Sequence, residues 1–362
     1  MSNKHHIIPI FVPHVGCPHD CVFCNQKKIT GVSTDITSKD VDNTIKSYLE
    51  TIPESNERLE VAFYGGSFTG IDRNIQRELL NAAYKYKKQG LIDRIRLSTR
   101  PDYIDIEELN LLKNYGVDII ELGVQSMDTE VLYKSNRGHS QDDVYKSSKL
   151  IKDFGFKLGL QMMVGLPGDN GEKSINTAKE LIKLKPDLVR IYPTLIVKDT
   201  YLEKLYEIGE YLPISLEESI NICSDLLMLF ELNDVNVIRI GLQPTDIISS
   251  ESESVIGGPF HPSFRQLVES NIYRLILLQS LDKINITTSS IRINISKKEV
   301  SNIVGQKSIN IKMIKDRYRL KKVSTIGLEA SKDSFDIIDG EKKYNINRKQ
   351  HIREYLESKK YC

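Results

Sequence analysis

The sequence predicts an α/β protein: a parallel sheet, open or closed into a barrel, over residues 1–245, a linker or insertion over 246–282, and a small basic α+β domain over 283–362. Three observations predict it. Short β-rich runs alternate with helical patterns from residue 7 to about 240, and there the alternation stops. Residues 283–362 hold 19 Lys and Arg against 9 Asp and Glu, so this tail stands near +10 in a chain whose net charge is +1. With 362 residues, 40% of them hydrophobic, the chain can bury one large core and a smaller second one.

The strands come in order as "IIPIFV" (7–12), "LEVAFY" (59–64), "RIRLS" (94–98), "VDIIEL" (117–122), "KLGLQMM" (157–163), "DLVRIY" (187–192) and "VNVIRI" (235–240). Between the first two, "SKDVDNTIKSYLETI" puts Val41, Ile45, Leu49 and Ile52 on one helical face. The run after Pro213 opens with Ser215 and Glu218 as a capping box, then sets Leu216, Ile220, Cys223, Leu227 and Phe230 along a stripe. Strands alternating with helices of this length imply βαβ units and a parallel sheet. Beyond the seventh strand, "SSESESVIGGPFHPSF" has the turn residues of an irregular connection. The tail reads as a strand in "IRINIS", helical pattern over 298–317, a strand in "KKVSTIGLEA", a hairpin turning at Asp339-Gly340, and a helix near 348–358.

No apolar run approaches the length that crosses a bilayer, and "IIPIFV" is too short for a signal-peptide core, so a cytoplasmic protein with no membrane partner is expected. Disulfides are rare in that compartment. The stretch "VGCPHDCVFCNQ" nevertheless packs Cys17, Cys21 and Cys24 into eight positions, which points to metal or redox chemistry. Three thiolates hold zinc if His14 or His19 completes a tetrahedron. They also suit a [4Fe–4S] cluster with one iron left without a protein ligand, free to bind a reactant. Both readings are open on the cysteines alone. Cys223, at core spacing, reads as a buried thiol.

Polar or glycine signals then stand at most strand ends, where parallel barrels gather their chemistry. The second strand ends in Gly65-Gly66-Ser67, the third at Ser98, and the fourth presents Gln125 with Arg137 following. The fifth carries Gln161 before "GLPGD", and the sixth ends at Tyr192-Pro193-Thr194.

The C-x3-C-x2-C spacing with Phe23 before its last cysteine resembles the radical S-adenosylmethionine (SAM) superfamily, and the resemblance favours the cluster over zinc. Over residues 7–245, "TRPDYI", "ELGVQS", "NRGH", "GLPGD" and "IYPTLIVKDT" are similar to the radical domain of the Elongator catalytic subunit. The coproporphyrinogen oxidases are more distantly similar, through "GVQS" and "GLPG". This resemblance implies a partial (β/α)6 TIM-like barrel. It implies one [4Fe–4S] cluster on Cys17, Cys21 and Cys24, with SAM contacted by Phe23, Gly65, Gly66, Ser67, Ser98, Gln125, Arg137 and Gln161. It further implies reductive cleavage of SAM to a 5′-deoxyadenosyl radical, with electrons from a donor such as ferredoxin or flavodoxin. Elongator's subunit has a longer cysteine spacing and a C-terminal acetyltransferase domain. The present chain is expected to lack that domain, so acetyl transfer is not implied. The second three-cysteine cluster of the methylthiotransferases is excluded, because only Cys223 and Cys362 remain.

For the tail, "VSNIVGQKSINIKMIKDRYRLKK" has the form of a helix, a Gly-basic turn and a helix, loosely like a K-homology module without the second glycine of its GxxG loop. With the basic charge and the Elongator likeness it suggests RNA, perhaps a tRNA uridine, with Lys307, Lys312, Lys315, Arg317 and Arg319 as candidate contacts. Two other readings stand beside it: a radical SAM enzyme on a small molecule of coproporphyrinogen type, and a non-catalytic, zinc-stabilised RNA-binding protein.

Overall fold

The structure is a computed structural model and describes residues 5–12, 21–24, 36–52, 58–242 and 254–361. Six strands lie side by side in chain order: β1 (His5–Val12), β2 (Arg58–Gly65), β3 (Arg94–Thr99), β4 (Val117–Gln125), β5 (Lys157–Val164) and β6 (Leu188–Pro193). Each pairing is parallel. Parallel neighbours need crossovers, and helices such as Ser38–Thr51, Arg73–Lys88, Gln141–Asp153 and Gly171–Lys183 supply them. The expected α/β architecture of partial-barrel type is what forms.

The two faces of this sheet differ sharply. On one, Val61, Phe63, Ile95, Leu97, Ile120, Leu122, Leu158 and Leu160 are fully buried. The flanking helices lie against the sheet, so each apolar strand residue is removed from water at about 25 cal/mol per Å². On the other face Glu60, Arg96, Glu121 and Arg190 are buried as well, although all four are charged.

The chain divides into two compact units, Met1–Ile214 with Leu242–Phe260, and Ser215–Gly241 with His261–Cys362. The strand expected in "VNVIRI" forms over Val237–Ile240 and belongs to the second unit. There the helices Leu216–Leu232, Phe264–Lys283 and Arg348–Ser358 pack on one another. Cys223 lies within that packing, 0% exposed. The cap at Ser215 is one-sided: Ser215 Oγ accepts from Glu218 N–H at 3.1 Å.

Within the segment 246–282, residues 246–253 lie outside the described residues, and the rest is more regular than the turn residues of "SSESESVIGGPFHPSF" suggest. It carries the strand Val255–Gly257 and most of the 20-residue helix Phe264–Lys283. That helix is buried against several partners, so its apolar residues do not sort into one stripe and its period is faint. A four-stranded sheet follows in the order Lys322–Leu328, Ser290–Ser296, Ser334–Asp339, Lys342–Asn347, with the first pair parallel and the others antiparallel. Among the described residues no helix is long and apolar enough to cross a membrane.

Candidate functional site

A recess at the C-terminal ends of the strands in the first unit is lined by Cys21, Phe23, Cys24, Gly65, Gly66, Ser67, Ser98, Thr99, Arg100, Gly123, Gln125, Arg137 and Gln161. Two of the three motif cysteines and all eight residues expected around the cofactor therefore meet in one place. Cys17, His14 and His19 lie outside the described residues.

Each strand end contributes through its own local geometry. At the end of β2, Gly65 has φ +99°, a region that L side chains rarely adopt, and Gly66 N–H donates to Val12 O at 3.0 Å. Ser67 Oγ shares a hydrogen bond with Thr99 Oγ1 at 2.8 Å and accepts from Arg100 N–H at 3.2 Å, which ties the ends of β2 and β3 together. β4 ends in a bulge between Gly123 and Gln125, where Gln125 takes φ +67°. Such an irregularity re-aims a side chain. Gln125 Oε1 is buried there with no partner among the described residues. A Cβ on Gly123 would stand 3.0 Å from Gln125 Nε2 and 3.5 Å from Arg137 Nη2, so glycine makes room for both side chains.

The cysteine loop is pinned from two sides. Val22 N–H donates to Ser135 O at 3.2 Å, Leu202 N–H donates to Val22 O at 2.7 Å, and Val22 packs with Ile196, Leu202 and Tyr211, with Phe23 against them. The turn Cys24 N–H to Cys21 O, 2.9 Å, brings the two cysteines to the recess. Arg137, 6% exposed, donates from Nη1 to Cys21 Sγ at 3.1 Å and from Nη2 to Gly123 O. Arg100 donates to Arg137 O and is itself held by Asp102 at 2.9 Å. Beside them His139 is buried, with neither ring nitrogen bonded. Burial, then the charges of Arg137 and Arg100, push it down to about 3, so the ring is neutral near pH 7.

The other face of the sheet carries a network of buried charges that the strand patterns do not announce. Glu60 pairs with Arg96, Arg96 Nη1 reaches Glu121 at 3.0 Å, and Glu121 takes Arg190 Nε at 2.6 Å. Arg190 also donates to Tyr64 Oη at 2.6 Å and Tyr192 Oη at 3.2 Å. Burial, then the Glu121 charge, raises the Tyr64 hydroxyl above its ordinary range. Gln161 Nε2 donates to Ser98 Oγ at 3.3 Å and Glu121 Oε2 at 3.1 Å, which leaves its carbonyl oxygen as the free end. Two signals in the sequence point to this network. Charges sit at every second position of "RIRL", alternating with apolar residues. Gly159 interrupts "KLGLQ" where a Cβ would come within 2.7 Å of Glu121 Cγ, a close approach that strand glycines often mark.

The recess thus combines soft sulfur ligands beside a guanidinium, an amide oxygen with no partner among the described residues, and a glycine pair in its lining. These residues fit an iron–sulfur cluster and a ligand with amino and carboxylate groups. The Radical SAM superfamily model matches residues 11–181, and the Radical_SAM C-terminal domain model matches residues 186–274. An uncharacterized protein of Methanocaldococcus jannaschii is 32% identical over 226 residues, covering 59% of this chain and 68% of its own length. The chain belongs to the radical SAM superfamily. The tRNA uridine(34) acetyltransferase of the same organism is 32% identical over 258 residues, 60% of this chain, and the chain spans only 48% of that relative's length. The solved Methanocaldococcus infernus Elp3 with an N-terminal deletion shares the fold at a TM-score of 0.60 and 22% identity, over 81% of this chain and 71% of its own.

Proposed function

We propose that the protein is a radical SAM enzyme that modifies RNA, with a tRNA uridine as substrate. One [4Fe–4S] cluster would sit on Cys17, Cys21 and Cys24, and SAM would lie along Gly65–Ser67, Ser98, Gln125, Arg137 and Gln161, with Phe23 against it. When bound, this pair supplies reductive cleavage of SAM and hydrogen abstraction from substrate, with electrons from a ferredoxin- or flavodoxin-type donor. The chain's own part is to hold and orient. Arg137 sets a positive partner against the Cys21 sulfur, Gln125 and Gln161 offer amide oxygens, and Gly65-Gly66 lets backbone approach a polar group. The observation that carries the reading is the meeting of two motif cysteines with all eight of those residues in one recess. The uridine substrate is supported by relatives named tRNA uridine(34) acetyltransferase and Elongator complex protein 3, and by the basic tail.

Mass spectrometry of nucleosides from a strain lacking this chain tests the substrate. Loss of one modified uridine, restored by the wild-type chain and not by Gly66→Val, is expected, because a valine fills the space the backbone approach needs. An unchanged nucleoside profile would move the substrate to a small molecule.

A further inference from the structure

We propose that the second unit carries a groove for single-stranded RNA, built around the turn Gly305–Ser308; this deepens the RNA reading and rests on it. The groove has a volume of about 650 Å³. Leu216, Ile220, Leu267 and Ile309 form its apolar part, and Arg274, Lys307 and Lys312 line it with Glu217 as the opposing carboxylate. Ile309 is 59% exposed, an apolar surface left open beside three cations.

The charge here is unspent. Elsewhere in the tail Arg317 is tied to Asp282 at 3.0 Å, Lys297 to Glu329 at 2.9 Å and Lys349 to Asp234 at 2.7 Å. Lys307 and Lys312 have no ion pair among the described residues, and Arg274 donates from Nη2 to the neutral Asn271 Oδ1 at 2.6 Å while its Nε has no partner among them. Of the five basic residues the sequence offered as contacts, the structure brings Lys307 and Lys312 to this groove and occupies Arg317 with an aspartate.

The turn that presents Lys307 is held firmly from beneath. Asn310, 1% exposed, donates from Nδ2 to Ser270 O at 2.9 Å and Ile303 O at 3.2 Å. Gly305 has φ +77°, and a Cβ there would come within 2.9 Å of Ile309 Cγ2 and Ser270 Oγ. Lys307 and Ser308 both take left-handed conformations, φ +51° and +59°. The missing second glycine is therefore no obstacle to the turn, since Ser308 adopts the conformation a glycine would supply. Two strained residues in succession persist only where the surroundings over-determine them, and such positions cluster at ligand clamps. Lysines supply point charges for phosphates. An apolar wall takes bases without reading their edges, which suits a flexible single strand.

The test is fluorescence anisotropy of the full-length protein with a labelled, uridine-rich single-stranded RNA, over a series of salt concentrations. Three phosphate contacts give a slope of log affinity against log salt of about −2, at about −0.7 each. Lys307→Glu with Lys312→Glu should weaken binding about tenfold or more and bring the slope near −0.7, as two contacts are lost. The Lys→Arg pair should restore both. Lys359→Glu with Lys360→Glu makes the same charge change outside the groove lining and should leave affinity within about twofold. Equal losses in both reversals, wild-type binding by the groove variant, or displacement of the RNA by a polyglutamate peptide would overturn the groove while leaving the RNA substrate standing. If the wild-type chain ignores both this RNA and tRNA at low salt, the RNA reading itself falls and the groove with it.

Discussion

Glu121→Gln removes one negative charge, and almost no volume, from the middle of the sheet. Glu121 is 0% exposed, and its carboxylate accepts from Arg96 Nη1 at 3.0 Å, Arg190 Nη2 at 3.1 Å and Gln161 Nε2 at 3.1 Å. Glu60, Arg96, Glu121 and Arg190 alternate in sign, so the variant leaves a buried positive charge uncompensated. Removing one partner of a buried pair costs about 3–5 kcal/mol, a large part of the roughly 5–15 kcal/mol that holds a typical fold. For a urea m-value near 3 kcal/mol/M, the unfolding midpoint should fall by about 1–2 M. Circular dichroism during urea unfolding at pH 7 measures it. A second effect follows from Gln161, which loses a charged acceptor worth about 1.5–3 kcal/mol and with it a fixed amide orientation. SAM affinity should therefore fall along with stability. A midpoint within about 0.3 M of wild type would refute the claim that this network is a desolvated, charge-balanced unit.

Three further outcomes follow from the same structure. Gly123→Ala places a Cβ 3.0 Å from Gln125 Nε2, and calorimetric titration should show SAM affinity down about five- to tenfold while the thermal midpoint moves by only about 2–4 °C; unchanged affinity would remove Gln125 from the binding site. His139 is held down to about 3 by burial and then by Arg137 and Arg100, so below the unfolded value of about 6.5 the unfolded chain takes a proton the folded one refuses. Stability is complete above that value and is lost as pH falls toward 3, by about 2 kcal/mol at pH 5. His139→Gln should flatten the change in urea midpoint between pH 7 and 5, and parallel pH dependences in the two proteins would contradict it. Cys223→Ala, in the core of the second unit, should cost about 1 kcal/mol through a small cavity and leave iron content untouched; loss of iron would place Cys223 among the ligands.

The six strands of the first unit were legible because buried parallel strands read as apolar runs bounded by turn residues, and those runs lie within three residues of the ends of β1–β6. The recess was legible for a related reason: the C-terminal ends of those strands are where side chains from different strands converge. Arg137 and Cys21 are 116 residues apart in the chain, yet both come to that edge. Three features stayed hidden. The helix Phe264–Lys283 is buried on several sides and so lacks a clean period. The buried charges of β2, β3, β4 and β6 have the alternation of a half-exposed strand, and only the pairing between strands tells that they neutralise one another. In the second unit the basic turn with Lys307 and Lys312 was legible, but the shape of the groove they line was not, since it depends on left-handed residues at Lys307 and Ser308, which no propensity favours.

The most direct test of the central claim is anaerobic reconstitution with iron and sulfide, followed by metal analysis and by incubation with SAM and dithionite. About four irons per chain are expected, as a [4Fe–4S] cluster requires, with release of 5′-deoxyadenosine, and both should vanish in Cys21→Ala and Cys24→Ala. Stoichiometric zinc, no uptake of iron and no 5′-deoxyadenosine would contradict it.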